Sequence, residues 1–371
     1  MSTNMSCTYF PACQGCKHWN LSYAEQKKLK IATLSGLLDA ENISHPAIEF
    51  ISCGEYGLRH RLDFTIQNEQ IQQMGFYDQA KNLIDIKQCL QLSPELQSFF
   101  SQFRQVHFPI KKGSARLRIG PSGQRGCWLD FSNLDIKNLL AEKSILINLL
   151  EKNIHIEVGQ KGKKVSIVGG ILRLTDPEPH AWFESYTADL QKIPIFGLVS
   201  DFTQPSWFSA KKMIEILLGW TDSKSSETTA IEFGPGLGQF TLPLLSKGFH
   251  VEVFESDESA TEYLKLNAEK SSLSKNLKIN LGDFQNKSIA NQQPVDFAVV
   301  NPPRSGLKKF THEVIRTQAK SCIYISCFPE SMAQDLKILA ASGYQIKDIK
   351  IVDQFPQTSH FESCVLLEKL F

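Results

Sequence analysis

A cysteine and a glutamate near the C-terminus each stand beside a short apolar run. Cys327 follows such a run in "IYISCFPE", and Glu362 precedes another in "FPQTSHFESCVLLE". A thiolate is a strong nucleophile when its pKa is lowered, and a carboxylate can act as a general base. A lone cysteine at a strand end is more often a packing residue, so a catalytic role for Cys327 depends on the motifs that accompany it.

A glycine-rich segment, "AIEFGPGLGQF", predicts a nucleotide-like ligand. An apolar strand ends in Glu232, and glycines at 234, 236 and 238 then let the backbone pass close to a ligand. Glu255 lies roughly 20 residues further on, at the place of an acid that binds ribose hydroxyls. The pattern fits NAD or S-adenosylmethionine. Glu232 favours the second, because a carboxylate can pair with the methionyl ammonium but would repel a pyrophosphate.

The next strands supply further candidates. Asp283 follows the third strand in "NLGDF", where it is either a contact for the adenine amino group or an ordinary turn residue. "VVNPPRSGL" fixes Asn301 at a strand end, since its prolines lock φ and contribute no donors. In methyltransferases that modify amino groups, an aromatic residue follows Asn-Pro-Pro. Arg304 stands there in this chain and counts against an amino target.

The elements that must position these residues fall into two domains. From about residue 51 to 174, short alternating segments are split by Gly, Pro and Asn turns, which is typical of a mixed α+β domain. A helix is expected over Ser22–Leu38. After about residue 195, strands alternate with helical patterns, which predicts an α/β doubly wound, Rossmann-like sheet. We therefore expect domains over 1–195 and 196–371.

Composition excludes several classes of protein. Of 371 residues, 42% are hydrophobic and 21% charged, with a net charge of +1, as in an ordinary globular protein. The sequence has no apolar run of about 18 residues and no signal-peptide pattern at its start, so we expect no membrane span and a cytoplasmic location. Nine cysteines in such a protein should be mostly reduced, and metal binding or catalysis then outranks a disulfide framework.

Three of those cysteines, Cys7, Cys13 and Cys16, lie within "CTYFPACQGC". Gly15 sits inside the CxxC, where a tight turn lets two thiolates point at one centre. No fourth ligand is nearby. The site is therefore either incomplete or closed by a residue far along the chain.

Together these motifs resemble the RNA uracil-5-methyltransferase family of the RumA and TrmA type, over essentially the whole chain. The matching pieces are "FTQ", "EFGPGLGQF", "NPPRSGL", "ISCFP" and "FPQTSHFES". The resemblance implies that Cys327 is the nucleophile and Glu362 the base. It also implies an S-adenosylmethionine site lined by Gln204, Gly234, Glu255 and Asn301.

The chain departs from the family pattern at four places. Asn301 replaces an aspartate, Gly234 and Pro235 replace an aromatic–cysteine pair, and Phe328 replaces the asparagine after the nucleophile. The chain also begins at the cysteine motif, so we expect no TRAM domain.

The activity implied is S-adenosylmethionine-dependent methylation of uridine carbon 5 in structured RNA, through a covalent adduct between cysteine and uracil. Ribosomal RNA (23S) is favoured over transfer RNA, and we expect a monomer with no membrane partner. Two alternatives stay open: an amino-group nucleobase methyltransferase, suggested by Asn301, and a non-catalytic iron–sulfur RNA-binding protein.

The resemblance also implies a role for the N-terminal cysteines. Iron–sulfur members of the family carry a fourth cysteine some seventy residues on, and "NLIDIKQC" supplies Cys89. Cys7, Cys13, Cys16 and Cys89 would then bind a 4Fe–4S cluster in an N-terminal RNA-binding domain. A four-cysteine zinc site is the alternative.

RNA contacts are expected from basic and aromatic residues on β-like segments and turns, where phosphates and a splayed base can be bound. The alternative for each is a solvated strand face. The candidates are Arg59, His60, Arg61, Arg116, Arg118, Arg125, Trp128, Lys161, Lys163 and Lys164.

Overall fold

The computed structural model describes residues 6–159, 162–222, 227–282 and 294–370. The chain forms two compact units, and each is assembled from separate stretches of sequence. The first comprises Met1–Ser22, Gly54–Phe183 and Gly197–Trp207. The second comprises Tyr23–Cys53, Glu184–Phe196 and Phe208–Phe371.

A single boundary between residues 195 and 196 is therefore wrong as a description of the fold. Tyr23–Cys53 belongs to the second unit because its strand Glu49–Ser52 adds in parallel to that unit's sheet, with Ser52 opposite Asp353. Gly197–Trp207 belongs to the first unit. Local sequence pattern carries no information on such pairings between distant segments.

The first unit is built on an eight-stranded sheet of order β4-β3-β2-β5-β6-β7-β8-β9, antiparallel except between β6 and β7. Its strands are β2 (Arg61–Asn68), β3 (Gln72–Tyr77), β4 (Leu83–Asp85), β5 (Lys112–Ile119), β6 (Arg125–Asp130), β7 (Ile154–Val158), β8 (Lys163–Val168) and β9 (Ile171–Thr175). Its helices are α2 (Pro94–Phe103), α3 (Asn133–Ala141) and α4 (Lys143–Glu151). The expected mixed α+β character is confirmed.

Alternation and capping explain these elements. In β2, Leu62, Phe64 and Ile66 are buried while the residues between them are more exposed, which is the period-two pattern of a strand with one face on the core. Helix α2 begins after Ser93, whose hydroxyl accepts from the Leu96 amide, with a proline at its first position. Its buried face of leucine and phenylalanine packs into the same core.

The second unit contains an eight-stranded sheet of order β1-β17-β18-β16-β15-β12-β13-β14. Its strands are β1 (Glu49–Ser52), β12 (Thr229–Phe233), β13 (His250–Glu255), β14 (Leu277–Leu281), β15 (Phe297–Val300), β16 (Ser321–Ser326), β17 (Tyr344–Asp353) and β18 (Glu362–Lys369). Its helices are α1 (Tyr23–Ala40), α5 (Trp207–Trp220), α6 (Thr241–Ser246), α7 (Glu258–Lys270), α8 (Thr311–Arg316) and α9 (Pro329–Ala341), with short 3-10 turns at Ser274–Asn276 and Lys308–Phe310.

Two further strands, β10 (His180–Tyr186) and β11 (Lys192–Gly197), pair with each other in a separate two-stranded sheet. The helix expected over Ser22–Leu38 is confirmed as α1.

The topology of the second sheet determines where a site can form. Strands β12 to β16 pair in parallel, while β18 runs antiparallel between β16 and β17. The chain order reverses on either side of β12, and ligands bind at such a switch point, outside the carboxyl ends of the strands. The expected doubly wound sheet is present.

In the described ranges, no helix combines the length and apolar character needed to cross a membrane.

Candidate active site

Cys327 and Glu362 are brought together by the register of two strands. Ser326, the last residue of β16, pairs with Ser363 of β18. Because the strands are antiparallel, the next opposed positions are Cys327 and Glu362. Helix α9 begins at Pro329, so the thiol also lies just before a helix N-terminus. The expected meeting of these two side chains at one sheet edge is present.

The Cys327 thiol is half-buried, and two neighbouring charged groups shift its pKa in opposite directions. Burial raises its pKa, and the Glu362 carboxylate raises it further because two adjacent anions repel. Arg304 opposes both effects, since its guanidinium donates a hydrogen bond to the sulfur and adds a positive charge. The side chain that favours ionisation of the thiol, against burial and Glu362, is therefore the arginine of "NPPRSG".

Glu362 is buried, with only 2% of its surface exposed. Gln354 donates a hydrogen bond from Nε2 to Glu362 Oε1 at 2.9 Å. Oε2 has no hydrogen-bond partner within the described ranges. Burial raises the pKa of Glu362 to about 8, although the Gln354 amide and the Arg304 charge both act to lower it. A buried carboxyl with one bonded and one unpartnered oxygen is suited to accept a proton.

The glycine-rich loop follows β12 at the same edge of the sheet. Gly234, Gly236 and Gly238 all have positive φ, which other residues rarely adopt. The Gly236 amide donates to Glu255 Oε2 at 3.2 Å, so the loop is fixed to the end of β13. Among the described residues, a Cβ at Gly234 would have only the Asn301 carbonyl within 4 Å, at 4.0 Å, so the loop leaves space for a ligand. Gly234, Glu255 and Asn301 therefore cluster at adjacent strand ends and fit a nucleoside cofactor.

Three other residues were candidates for the cofactor site. Glu232 points into the core, where it accepts a hydrogen bond from Thr241 Oγ1 at 2.6 Å, and burial raises its pKa to about 7. Thr241 occupies one oxygen of Glu232, and the pairing of Glu232 with a ligand's ammonium stays a prediction. Gln204 is buried in the first unit, whereas Gly234, Glu255 and Asn301 belong to the second. Asp283 falls outside the residues that the structure describes.

The four predicted cysteine ligands line one cavity in the first unit. Cys7, Cys13, Cys16 and Cys89 share it with Arg59 and a set of apolar side chains. Burial, followed by the charge of Cys89, raises the pKa of Cys16 to about 12. Over the described ranges, no group of three or more His, Cys, Asp or Glu side chains has an arrangement that could hold a metal ion. The cysteines thus converge without forming a metal site as they stand.

Comparison with known proteins decides the family. The family profile described as tRNA (Uracil-5-)-methyltransferase matches residues 259–370, which include Arg304, Cys327 and Glu362. An uncharacterized RNA methyltransferase of Bdellovibrio bacteriovorus is 39% identical over 378 residues, covering 99% of this chain and 96% of the relative. The chain belongs to the RNA uracil-5-methyltransferase family. It is an RNA methyltransferase.

Other relatives of this methyltransferase are more distant. The 23S rRNA (uracil(1939)-C(5))-methyltransferase RlmD of Klebsiella pneumoniae is 27% identical, over 98% of this chain and 81% of the relative. The crystal structure of Pyrococcus abyssi tRNA (uracil-54, C5)-methyltransferase in complex with S-adenosyl-L-homocysteine superposes with a TM-score of 0.68. It is 21% identical and covers 96% of this chain and 86% of that one, so the likeness supports the fold.

Several residues that the sequence offered as RNA contacts serve the fold of the methyltransferase instead. Arg118 is fully buried, and its guanidinium donates to the carbonyls of Leu198 and Asp201. His60 is buried against Trp207, with ring centroids 3.7 Å apart. Burial lowers the pKa of His60 to about 4, so it carries no charge for a phosphate near pH 7. The predictions that Arg118 and His60 contact RNA are therefore wrong.

Other basic candidates are paired. Arg61 and Arg116 both bind Asp63, with nitrogen–oxygen distances of 3.1 and 2.6 Å. Lys163 and Lys164 pair with Asp176 and Glu178, and Lys161 lies outside the described residues. Arg125 donates to Gln102 Oε1 at 3.0 Å, and Arg59 lines the cysteine cavity.

Two residues around the site, Gln354 and Asp335, were not predicted from the sequence. Gln354, which binds Glu362, carries no distinguishing signal. Asp335 in α9 had one: it interrupts a stripe of Met332, Leu336 and Leu339 at helical spacing, where an acidic residue needs buried partners.

Proposed function

We propose that this chain transfers a methyl group from S-adenosylmethionine to carbon 5 of uridine in structured RNA, through a covalent adduct between Cys327 and carbon 6. Glu362 is the base that completes the reaction. The observation that supports this most is the meeting of the Cys327 thiol with the Glu362 carboxyl and the Arg304 guanidinium.

The chemistry requires a nucleophile because carbon 5 of uracil is too weak a nucleophile on its own. The Cys327 thiolate forms a bond to carbon 6, and the electrons of the 5,6 double bond move into an enolate over carbon 5 and oxygen 4. Carbon 5 then bonds to the methyl carbon, while the electrons of the methyl–sulfur bond remain on sulfur. S-adenosylmethionine supplies this methyl group as an electrophilic sulfonium.

Release of the product needs a base. Glu362 takes the proton from carbon 5, and its unpartnered Oε2 is the atom available for this transfer. The electrons of the carbon–hydrogen bond restore the 5,6 double bond, the sulfur–carbon 6 bond breaks, and the thiolate of Cys327 is regenerated. The proton on Glu362 passes to solvent, so the net products are 5-methyluridine, the demethylated thioether and one proton.

Arg304 favours the reactive form of the nucleophile. Its hydrogen bond and charge lower the pKa of Cys327 against the effects of burial and of Glu362. The same charge lowers the pKa of Glu362. Arg304 thereby helps the two adjacent acids to ionise near neutral pH.

Gln204, Gly234, Glu255 and Asn301 are proposed to line the site for S-adenosylmethionine. The open glycine loop and its hydrogen bond to Glu255 support the three positions in the second unit. Gln204 rests on the family resemblance alone. The second unit is proposed as the methyltransferase domain and the first unit as the RNA-binding domain.

Ribosomal RNA is proposed as the substrate ahead of transfer RNA. The support is the likeness to relatives that are named 23S rRNA methyltransferases, which extends over 98% of this chain. The chain is proposed to act as a monomer.

An iron–sulfur cluster, 4Fe–4S, is proposed at Cys7, Cys13, Cys16 and Cys89. The lining of one cavity by all four thiols supports it, as does the preference of such clusters for four thiolates. Among the described residues the four thiols do not form a group arranged to hold a metal ion, so cluster binding would have to draw them together. The proposed cluster is structural, and no step of methyl transfer passes through it.

The activity is tested by methylation in vitro. The purified chain is incubated with methyl-labelled S-adenosylmethionine and with ribosomal or transfer RNA from cells that lack this protein, and the nucleosides are then separated. Label in 5-methyluridine of ribosomal RNA, lost in Cys327→Ala, is the expected result. Label in an amino-methylated base, or full activity of Cys327→Ala, would contradict the proposal.

A further inference from the structure

Asp335, in the middle of α9, is an acidic side chain with only 3% of its surface exposed. Its two carboxylate oxygens accept four hydrogen bonds. Oδ2 accepts from the Leu307 amide and the Tyr324 hydroxyl, both at 2.6 Å. Oδ1 accepts from the Lys308 amide and the Thr311 hydroxyl, both at 3.1 Å. Each oxygen thus binds one backbone amide of the loop after Arg304 and one hydroxyl.

These bonds join the elements around the candidate nucleophile. Tyr324 lies on β16, three residues before Cys327. Asp335 lies on α9, which begins two residues after Cys327. The two amides follow the turn that carries Arg304, the residue whose guanidinium reaches the thiol. One carboxylate therefore connects the strand before the cysteine, the helix after it and the loop beside it.

The turn itself leaves Arg304 little freedom at its base. The Gly306 amide donates to the Pro303 carbonyl at 2.9 Å, which closes a turn around Arg304 and Ser305. Gly306 has a φ of +74°, and a Cβ there would lie 2.7 Å from Asp335 Oδ2. Asp335 thus packs directly against the residue that ends the turn, and only glycine fits between them.

We propose that Asp335 is a positioning residue that holds Arg304 against the Cys327 thiol and so keeps the nucleophile ionisable. It acts through the turn at 303–306 and touches no reacting atom. The role rests on the proposed function in one respect, since Cys327 must be the nucleophile for its ionisation to affect the rate. The link between Asp335 and the thiol can nevertheless be measured without RNA or S-adenosylmethionine.

Asp335→Asn is the decisive substitution because it keeps the shape and removes one acceptor. Whichever oxygen becomes NH2 presents a donor to one loop amide and one hydroxyl, so the loop loses an anchor in either orientation. Tyr324→Phe is the matched control, because it removes one hydroxyl donor to the same carboxylate but leaves both loop amides bonded.

The measurement is the rate at which iodoacetamide alkylates Cys327 in the intact chain as a function of pH. Mass spectrometry follows the peptide Ser321–Lys337 and distinguishes Cys327 from buried Cys322 by fragmentation. In Asp335→Asn the alkylation profile is expected to move to higher pH, with reactivity near pH 7 falling about tenfold for each unit. Tyr324→Phe is expected to leave the profile close to that of the parent chain.

A double-mutant cycle separates positioning from a general effect on the fold. Arg304→Met alone should move the profile in the same direction, and Asp335→Asn added to it should cause no further shift. Gly306→Ala displaces the same turn while leaving the Asp335 carboxylate intact, and should also move the profile if Asp335→Asn does not fold.

Two results would overturn the proposal: an unmoved profile in folded Asp335→Asn or Gly306→Ala, or shifts that add fully to that of Arg304→Met. Retained methylation by Cys327→Ala would instead overturn the proposed function, and leave the alkylation result standing.

Discussion

Cys327 and Glu362 occupy opposed positions one step beyond the Ser326–Ser363 pair of two antiparallel strands. The nucleophile and base candidates, 35 positions apart in sequence, are therefore held by the backbone of β16 and β18. Such strand-based placement is more precise than placement on loops. The predictions below follow from this pair and from the residues that surround it.

The pH dependence of kcat/KM should show a rising limb. Both groups act in their ionised forms, and the pKa of Glu362 is raised to about 8, while that of Cys327 is raised above its usual value. Activity is therefore expected to increase as the pH rises from 6 through about 8 and to keep increasing above it, because the thiol ionises at still higher pH. Arg304→Met should displace this limb to higher pH, because the arginine lowers both pKa values. A limb that stays in place in this variant would contradict the proposed electrostatic role.

Glu362→Gln should trap the reaction after methyl transfer. The amide can keep the bond from Gln354 but cannot accept the carbon 5 proton, so the sulfur–carbon 6 bond cannot break. A protein–RNA complex that carries the methyl label and survives denaturing electrophoresis is the expected product. The Cys327→Ala, Glu362→Gln double variant should form none, and a stable complex in that variant would mean that another residue is the nucleophile.

Lys30→Met should destabilise the second unit strongly. Lys30 and Asp353 form a fully buried ion pair at 2.7 Å, which ties α1 to the end of β17. Removing one partner leaves the carboxylate buried without its counter-charge, at a cost of about 3–5 kcal/mol in the free energy of unfolding. Lys337→Met breaks the exposed pair with Glu41 and should cost less than about 1 kcal/mol. If chemical denaturation showed equal losses of unfolding free energy in Lys30→Met and Lys337→Met, this account would be contradicted.

The Lys30–Asp353 pair also shows where prediction from sequence ends. Periodicity identifies α1. The sequence also places the glycine loop, Asn301, Cys327 and Glu362 at strand ends, and such ends meet at one edge of a parallel sheet. The pairing of β1 with β17, by contrast, joins segments some 300 residues apart, and no local pattern encodes it. The single domain boundary is wrong for that reason.

Burial of charged residues is the other feature that local pattern did not resolve. Arg118 and His60 are residue types that contact RNA, but in the fold their side chains contact the segment at 197–207. Asp335 is the converse case, since an acidic residue within an apolar helical stripe signals a buried network without revealing its partners. Those partners depend on the path of a loop almost thirty residues earlier in the chain.

Cys89→Ala should release the proposed cluster. Protein purified without oxygen is expected to contain iron and sulfide and to absorb broadly in visible light, and the variant should lose both signals together with part of its stability. Cys53→Ala, which removes a cysteine outside the cavity, is the control and should keep them. Zinc at one per chain without sulfide would instead establish a four-thiolate zinc site.

The central claim, covalent catalysis by Cys327 with Glu362 as the base, is tested most directly with RNA that contains 5-fluorouridine. Fluorine at carbon 5 cannot be removed as a proton, so the methylated adduct cannot eliminate the cysteine and persists. The expected result is a covalent complex that forms only with S-adenosylmethionine. Its mass equals that of protein plus RNA plus CH2, because the methyl group is gained and the thiol hydrogen is lost. The modified nucleotide is attached to Cys327. A complex attached to another cysteine, or ordinary turnover of 5-methyluridine by Cys327→Ala, would contradict the claim.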